Sequence, residues 1–439
     1  MLKNVRIGVV CLARETYDFK AAAEIYARTM EELKEVPEVT WEFEPELIIS
    51  TDEAYAAAER LSTKRLDGLV IITGTFHLGH LALILKKSLN KPVLLWAFSE
   101  LPYNGGKIRL NSVCGVNLNA SNLYKAGFND YICIVGDKID TDWIDAIRMK
   151  AALESAHIGI VGYRAHGFFN LDIDEMNNFA QTGILIDHYE ISDILSMQVL
   201  PEEKEIFLKE ISDEFNCSDI SDEQKDKVAA LCVKFEKFMK NHALTALAVR
   251  CWPEFANMYG ISPCAAMSIL QSKGYILGCE GDIEGVMSML ACDAVGERQT
   301  PFLADLSQVN FEENYALLWH CGVAPKNLWD GKCTRSLDTY FAGGRGVTAG
   351  FVMKSGRINL MRIDSARGKT RLYVQGGTVV PMEKELTGTY AKVVFDKQVN
   401  EVLDTITSTG VAHHLAMIYS DKLKAFKIFS KIMNYTLIE

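Results

Sequence analysis

The runs "DGLVIITG" (67–74) and "KPVLLWAF" (91–98) restrict the possible folds of this chain more than anything else in it. Each is apolar without alternation, which suits a strand buried on both faces in a parallel sheet covered by helices. "VRIGVVCLA" (5–13) is a β-rich run ahead of them, and "DYICIVGD" (130–137) follows. Between them "DFKAAAEIYARTMEELKEV" (18–36) has helical spacing behind Asp18, a candidate N-cap, and a second helix is expected near 141–154. Strands and helices alternating in this way predict an open α/β layer of the Rossmann or flavodoxin type.

The pattern restarts at "SAHIGIVGYRAHGF" (155–168). A chain of 439 residues is too long for one ordinary core, so a boundary is expected near 155. Residues 201–242 read as solvated helices. Strands follow at 245–252, 275–280, 300–305 and 315–322, with helices at 262–274 and 282–297. Beyond about 325, short strands separated by glycines read as an antiparallel sheet or small barrel, closed by an amphipathic helix near 420–434. The expectation is an α/β protein. Two parallel-sheet layers (1–155, and 156–324 carrying the acids discussed below) precede a mostly antiparallel, barrel-like domain (325–439).

A net charge of -11 argues against nucleic acid and anionic membrane as partners. No apolar run reaches membrane-spanning length, and "MLKNVRIGVVCLARE" reads as a first strand instead of a signal peptide. Eleven cysteines without a CxxC pair, several inside apolar runs, suit a reducing cytoplasm.

The chemistry gathers around "GYILGCEGDIEGVMSML" (274–290), where a strand ends in Cys-Glu-Gly-Asp and a helix begins at once. Glu280, and Asp305 in "TPFLAD", each stand at the end of an expected strand of one β-α-β unit. Parallel strands would bring both carboxylates to one sheet edge, where ligands bind in open α/β folds. "AHHLA" adds His413 and His414, and "LLWHCG" adds His320. An oxygen and imidazole set favours Mn²⁺ or Mg²⁺ over a structural zinc site. Asp282 reads as the cap of the next helix, while His77 and His80 in "GTFHLGH" read as loop residues.

"CEGD", "FLAD", "LLWHCG" and "AHHLAMIY", in this order and followed by a closing helix, resemble the L-fucose isomerase and L-arabinose isomerase superfamily, its fucose-isomerase-like branch in particular. The arabinose branch has a glutamate one position before Asp305, where this chain has Ala304. The resemblance implies a cytoplasmic aldose–ketose isomerase working through an enediol. Glu280 and Asp305 would be the catalytic acids and, with His414, the ligands of a divalent metal: Mn²⁺, with Mg²⁺ or Co²⁺ as alternatives. It also implies a homotrimer or homohexamer. Arg14, Trp252, His320 and His413 are the candidate substrate contacts. A 6-deoxy or 6-substituted hexose is an expected substrate, a sulfonated one such as sulfoquinovose included, with Arg14, Arg345 and Arg357 available to an anion.

Two rivals stand beside this reading. A dinucleotide-dependent oxidoreductase lacks its signature, since no G-x-G-x-x-G joins a strand to a helix. A non-catalytic sugar-binding or regulatory protein would also pair α/β layers, but it would not need Glu280, Asp305 and His414 to converge.

Overall fold

The computed structural model describes residues 2–296, 300–341 and 344–439, so Glu297 of the expected helix 282–297 lies outside the described residues. The chain divides into two compact units, 2–151 with 424–435, and 152–423 with 436–439.

In the first unit, strands β1 (Val5–Leu12), β2 (Val39–Ile48), β3 (Gly68–Thr73), β4 (Val93–Ala97) and β5 (Tyr131–Val135) form a parallel sheet in the order β2-β1-β3-β4-β5. Every residue of β3 and β4 is buried, as their unbroken apolar runs require. β2 is not among the strands expected from the sequence. As an edge strand it is mostly half-buried, and its mixed "VTWEFEPELI" lacks an apolar block. Asp18 caps the helix Phe19–Lys34 by accepting from the Ala21 N–H, and its other oxygen takes a forked hydrogen bond from Arg109. His77 is a core residue hydrogen-bonded to the Thr75 carbonyl and to Asn119. The helix Leu423–Ile432 belongs to this unit and anchors there through Lys424, whose ammonium meets Asp140 at 2.8 Å.

The second unit holds two sheets. A parallel one has the order β7-β6-β8-β9, from β6 (His157–Val161), β7 (Leu185–Tyr189), β8 (Ala246–Val249) and β9 (Ile276–Cys279). The other nine strands are β10 (Phe302–Asn310), β11 (Tyr315–His320), β12 (Ser336–Phe341), β13 (Gly346–Val352), β14 (Gly356–Ala366), β15 (Lys369–Val380), β16 (Thr389–Phe395), β17 (His414–Ile418) and β18 (Thr436–Ile438). Their order is β12-β13-β16-β11-β10-β17-β14-β15-β18. A further β15–β16 pairing closes β16, β11, β10, β17, β14 and β15 into a barrel. Closure satisfies the backbone groups that two open edges would leave unpaired.

One expectation is corrected here. β10 does not follow β9 in a parallel sheet. It runs antiparallel to β11 and β17 inside the barrel. Its apolar start, Phe302–Ala304, is buried in either setting, so local pattern could not separate the two.

Candidate metal centre

Glu280 follows β9 directly, with a left-handed backbone (φ 64°), and Gly281 repeats that conformation (φ 72°). A side chain at Gly281 would strike the Tyr163 carbonyl at 2.4 Å and the Arg164 Cα at 2.6 Å, so only glycine lets the segment after β6 lie against this turn. That segment is tied down by the Ala165 N–H, which donates to the Glu280 carbonyl at 2.8 Å. Asp282 then caps the helix Ile283–Val295, accepting from the Gly285 N–H at 2.8 Å.

The barrel supplies the facing groups. Asp305 of β10 pairs in register with His414 of β17. His414 Nε2 lies 3.3 Å from Glu280 Oε2 and 3.7 Å from Asp305 Oδ1, and His413 Nε2 lies 3.2 Å from the same Glu280 oxygen. The His320 ring stacks on that of His414, with centroids 5.5 Å apart. Two sets of potential ligand atoms result, each mutually within 4.8 Å: Glu280, His413 and His414, and Asp305, His320 and His414. The expected acids therefore meet His414, although by a different route from a shared sheet edge.

The two buried imidazoles are set up differently. His414 is fully buried, and its Nδ1 donates to Asp282 Oδ2 at 2.7 Å. A neutral ring in that state presents the Nε2 lone pair to the acids. At His320 the Cys321 N–H donates to Nδ1 at 2.8 Å, so the neutral ring carries its proton on Nε2. Asp282 also takes Arg362 Nη1 at 2.5 Å, and both of these side chains are completely buried. Asp282 is thus a helix cap, as its position predicts, and a partner of His414 and Arg362 as well. Sequence reasoning missed those partnerships.

Electrostatics follow from this packing. Burial would raise the Glu280 carboxyl, but the His413 and His414 rings outweigh it and hold its pKa down to about 2. Burial would lower His414, yet Asp282 and Glu280 push it up to about 9, so a cation arriving at Nε2 competes with a proton. His414 Nε2 and Asp305 Oδ1 are buried without a hydrogen-bond partner among the described residues. Buried polar atoms are costly to leave unsatisfied. Two convergent orphan donors beside the Glu280 carboxylate fit a divalent cation with oxygen and imidazole preferences.

Arg14 is an exposed residue of the first compact unit, just beyond β1, with its backbone bonded to Thr75. Trp252 stands three residues past β8, whose last residue, Val249, pairs with Cys279, and is 39% exposed. Arg357 is committed to Asp396 by a forked ion pair, and Arg345 donates to the Ala256 carbonyl and to Asn257.

The fucose/sulfoquinovose isomerase N-terminal domain family matches residues 8–140. The sulfoquinovose isomerase of Priestia megaterium (strain ATCC 12872 / QMB1551) is 26% identical over 443 residues, which span 99% of this chain and 98% of that protein. By these two matches the chain is similar to the fucose-isomerase-like family. A second relative, the sulfoquinovose isomerase of Alkalicoccus urumqiensis, is 24% identical over 90% of both chains. A periplasmic solute-binding protein of Actinobacillus succinogenes 130z with bound D-allose is 11% identical, covering 58% of this chain and 81% of its own, at a TM-score of 0.17. That score is too low to carry an argument. Among the described residues no helix is long and apolar enough to cross a membrane.

Proposed function

We propose that this protein interconverts an aldose and a ketose carrying a sulfonate at C6, sulfoquinovose being the substrate named for its relatives. The observation that carries the reading is the convergence of Glu280 and Asp305 on the unsatisfied His414 Nε2. Aldose-to-ketose conversion removes a proton from C2 and delivers one to C1, while the hydroxyl proton leaves O2 and O1 gains one. Two carboxylates held across a small space can perform these transfers as base and acid, and Glu280 and Asp305 take those roles. Glu280, Asp305 and His414 would hold a divalent cation, Mn²⁺ in preference to Mg²⁺ or Co²⁺, which when bound polarises the O1 and O2 side of the sugar as a Lewis acid. His320, with its proton on Nε2, donates to a sugar oxygen, and His413 keeps the Glu280 carboxylate oriented.

The sulfonate falls to Arg164. Its backbone packs on Gly281, next to Glu280. Its guanidinium lies over the Phe169 ring, with Cζ 4.9 Å from the centroid, and its Nε has no hydrogen-bond partner among the described residues, Asp172 standing 3.5 Å away. A planar guanidinium is well shaped for an anion with several equivalent oxygens. The reading also includes a cytoplasmic location, which the eleven free cysteines support, and a homotrimer or homohexamer of three-part subunits divided near 155 and 324.

The test is an NMR isomerisation assay on chelator-treated protein, with and without added Mn²⁺. Sulfoquinovose is compared with L-fucose, D-arabinose and L-arabinose. Mn²⁺-dependent conversion of sulfoquinovose is expected. Full activity in metal-free protein, or turnover of the neutral sugars alone, would overturn the reading.

A further inference from the structure

Arg362 is the unusual residue of β14. It sits in the apolar stretch "INLMRI" and is fully buried, its guanidinium inside the unit instead of in water. A buried arginine is costly unless its charge and its donors are matched. Its closest partner is Asp282, at 2.5 Å, while Glu284 and Asp364 stand at 3.9 and 4.0 Å.

The Asp282 carboxylate is held from three directions. Oδ2 receives Arg362 Nη1 and His414 Nδ1, and Oδ1 receives the Gly285 N–H. The space admits nothing more. A Cβ at Gly285 would stand 2.4 Å from Asp282 Oδ2 and 3.0 Å from Arg362 Nη1. Strand β14 and the first turn of the following helix thus both act on one carboxylate, which in turn meets the His414 ring of β17.

We infer that Arg362, acting through Asp282, is a positioning residue that fixes the His414 ring with Nε2 toward Glu280 and Asp305. The inference rests on reading that cluster as a metal centre. An imidazole that ligates a metal through one nitrogen needs the other to donate to a fixed acceptor, which sets both tautomer and ring angle. Asp282 is that acceptor, and Arg362 stops it from rotating away. If Arg362 served only to balance charge, its loss would weaken the fold and leave the ligand geometry alone.

The experiment compares Asp282→Asn, Arg362→Lys, Arg362→Met and Gly285→Ala with the unsubstituted chain. Mn²⁺ affinity of chelator-stripped protein is read from the free-ion EPR signal, and the unfolding midpoint of the same metal-free samples is recorded beside it. Asp282→Asn keeps the shape and the helix cap, so it reports even where Arg362→Met fails to fold. The expected result is a dissociation constant raised about ten- to a hundredfold in Asp282→Asn, Arg362→Met and Gly285→Ala, and less in Arg362→Lys. Affinities unchanged within about twofold, with only the midpoints lowered, overturn the positioning role and leave the metal centre standing. If the unsubstituted protein itself takes up no Mn²⁺, Mg²⁺ or Co²⁺, the metal reading falls, and this inference falls with it.

Discussion

Asp305 and His414 are register partners across the β10–β17 ladder, with Asp305 Oδ1 3.7 Å from His414 Nε2. The position of each is therefore set by the barrel's backbone hydrogen bonds, whereas Glu280 arrives from the end of a parallel strand.

Replacing either acid by its amide preserves shape and removes the charge. Glu280→Gln and Asp305→Asn are each expected to lower turnover by at least about two orders of magnitude, the scale of losing a positioned acid or base. His414→Ala should act through metal affinity, so excess Mn²⁺ restores part of its activity. Turnover of the three variants at low and high Mn²⁺ checks this. Rescue of the amide variants by Mn²⁺ alone would assign them a binding role only.

Arg164 is expected to govern recognition of the anion and not the chemistry. In Arg164→Met the KM for sulfoquinovose should rise at least about tenfold, the size of one lost charge-assisted hydrogen bond. KM for a 6-deoxyhexose should stay put. Equal shifts on both sugars would count against an anion contact.

Glu284 gives a pH dependence. Burial raises its pKa from 4.5 to about 7, against the pull of Arg362. Between those values the folded chain holds a proton that the unfolded chain has released. Its contribution therefore lowers stability as pH rises from about 4.5 to about 7. Glu284→Gln should flatten that part of the stability–pH curve, as measured by urea unfolding at several pH values. An unchanged slope would show the carboxyl to be ionised throughout.

Asp18 works in the opposite sense. The Arg109 hydrogen bonds and the Ala21 N–H lower its pKa, so the stability it adds is present above about 4 and is lost as pH falls through its depressed value. Asp18→Ala should cost on the order of 1 kcal/mol at neutral pH, the usual worth of an N-cap. The difference from the unsubstituted chain should shrink in acid. Chemical unfolding at pH 7 and pH 3 measures both.

Much of this was legible in the sequence. Buried parallel strands announce themselves as unbroken apolar runs, and Glu280, Asp305 and His414 sit in short motifs whose order is informative. The antiparallel placement of β10 was not legible, because a buried strand carries no mark of its neighbour's direction. Asp282 showed only half its role, since a helix cap and a histidine's partner are the same residue type in the same place. Arg362 lies 80 positions from Asp282, and pairing across such a distance leaves no local periodicity. The half-buried β2 does carry a strand signal, since Val39, Trp41 and Phe43 alternate with Thr40, Glu42 and Glu44, but Pro45 interrupts it and no unbroken apolar run marks it.

The irregularity in β10 between Leu306 and Gln308, where the pairing with β11 shifts, has a bearing on how this strand can vary. Side chains along a strand alternate faces, so sliding β10 by one residue against β17 would offer Ala304 or Leu306 to the histidine in place of Asp305. The shift lies beyond Asp305, on the side toward the β10–β11 turn. Length changes near that turn can be absorbed there, as an extra residue is in a bulge. Length changes within Phe302–Asp305 have no such buffer. A single inserted or deleted residue in those four positions would exchange a carboxylate for a hydrocarbon while leaving the barrel's outline unaltered.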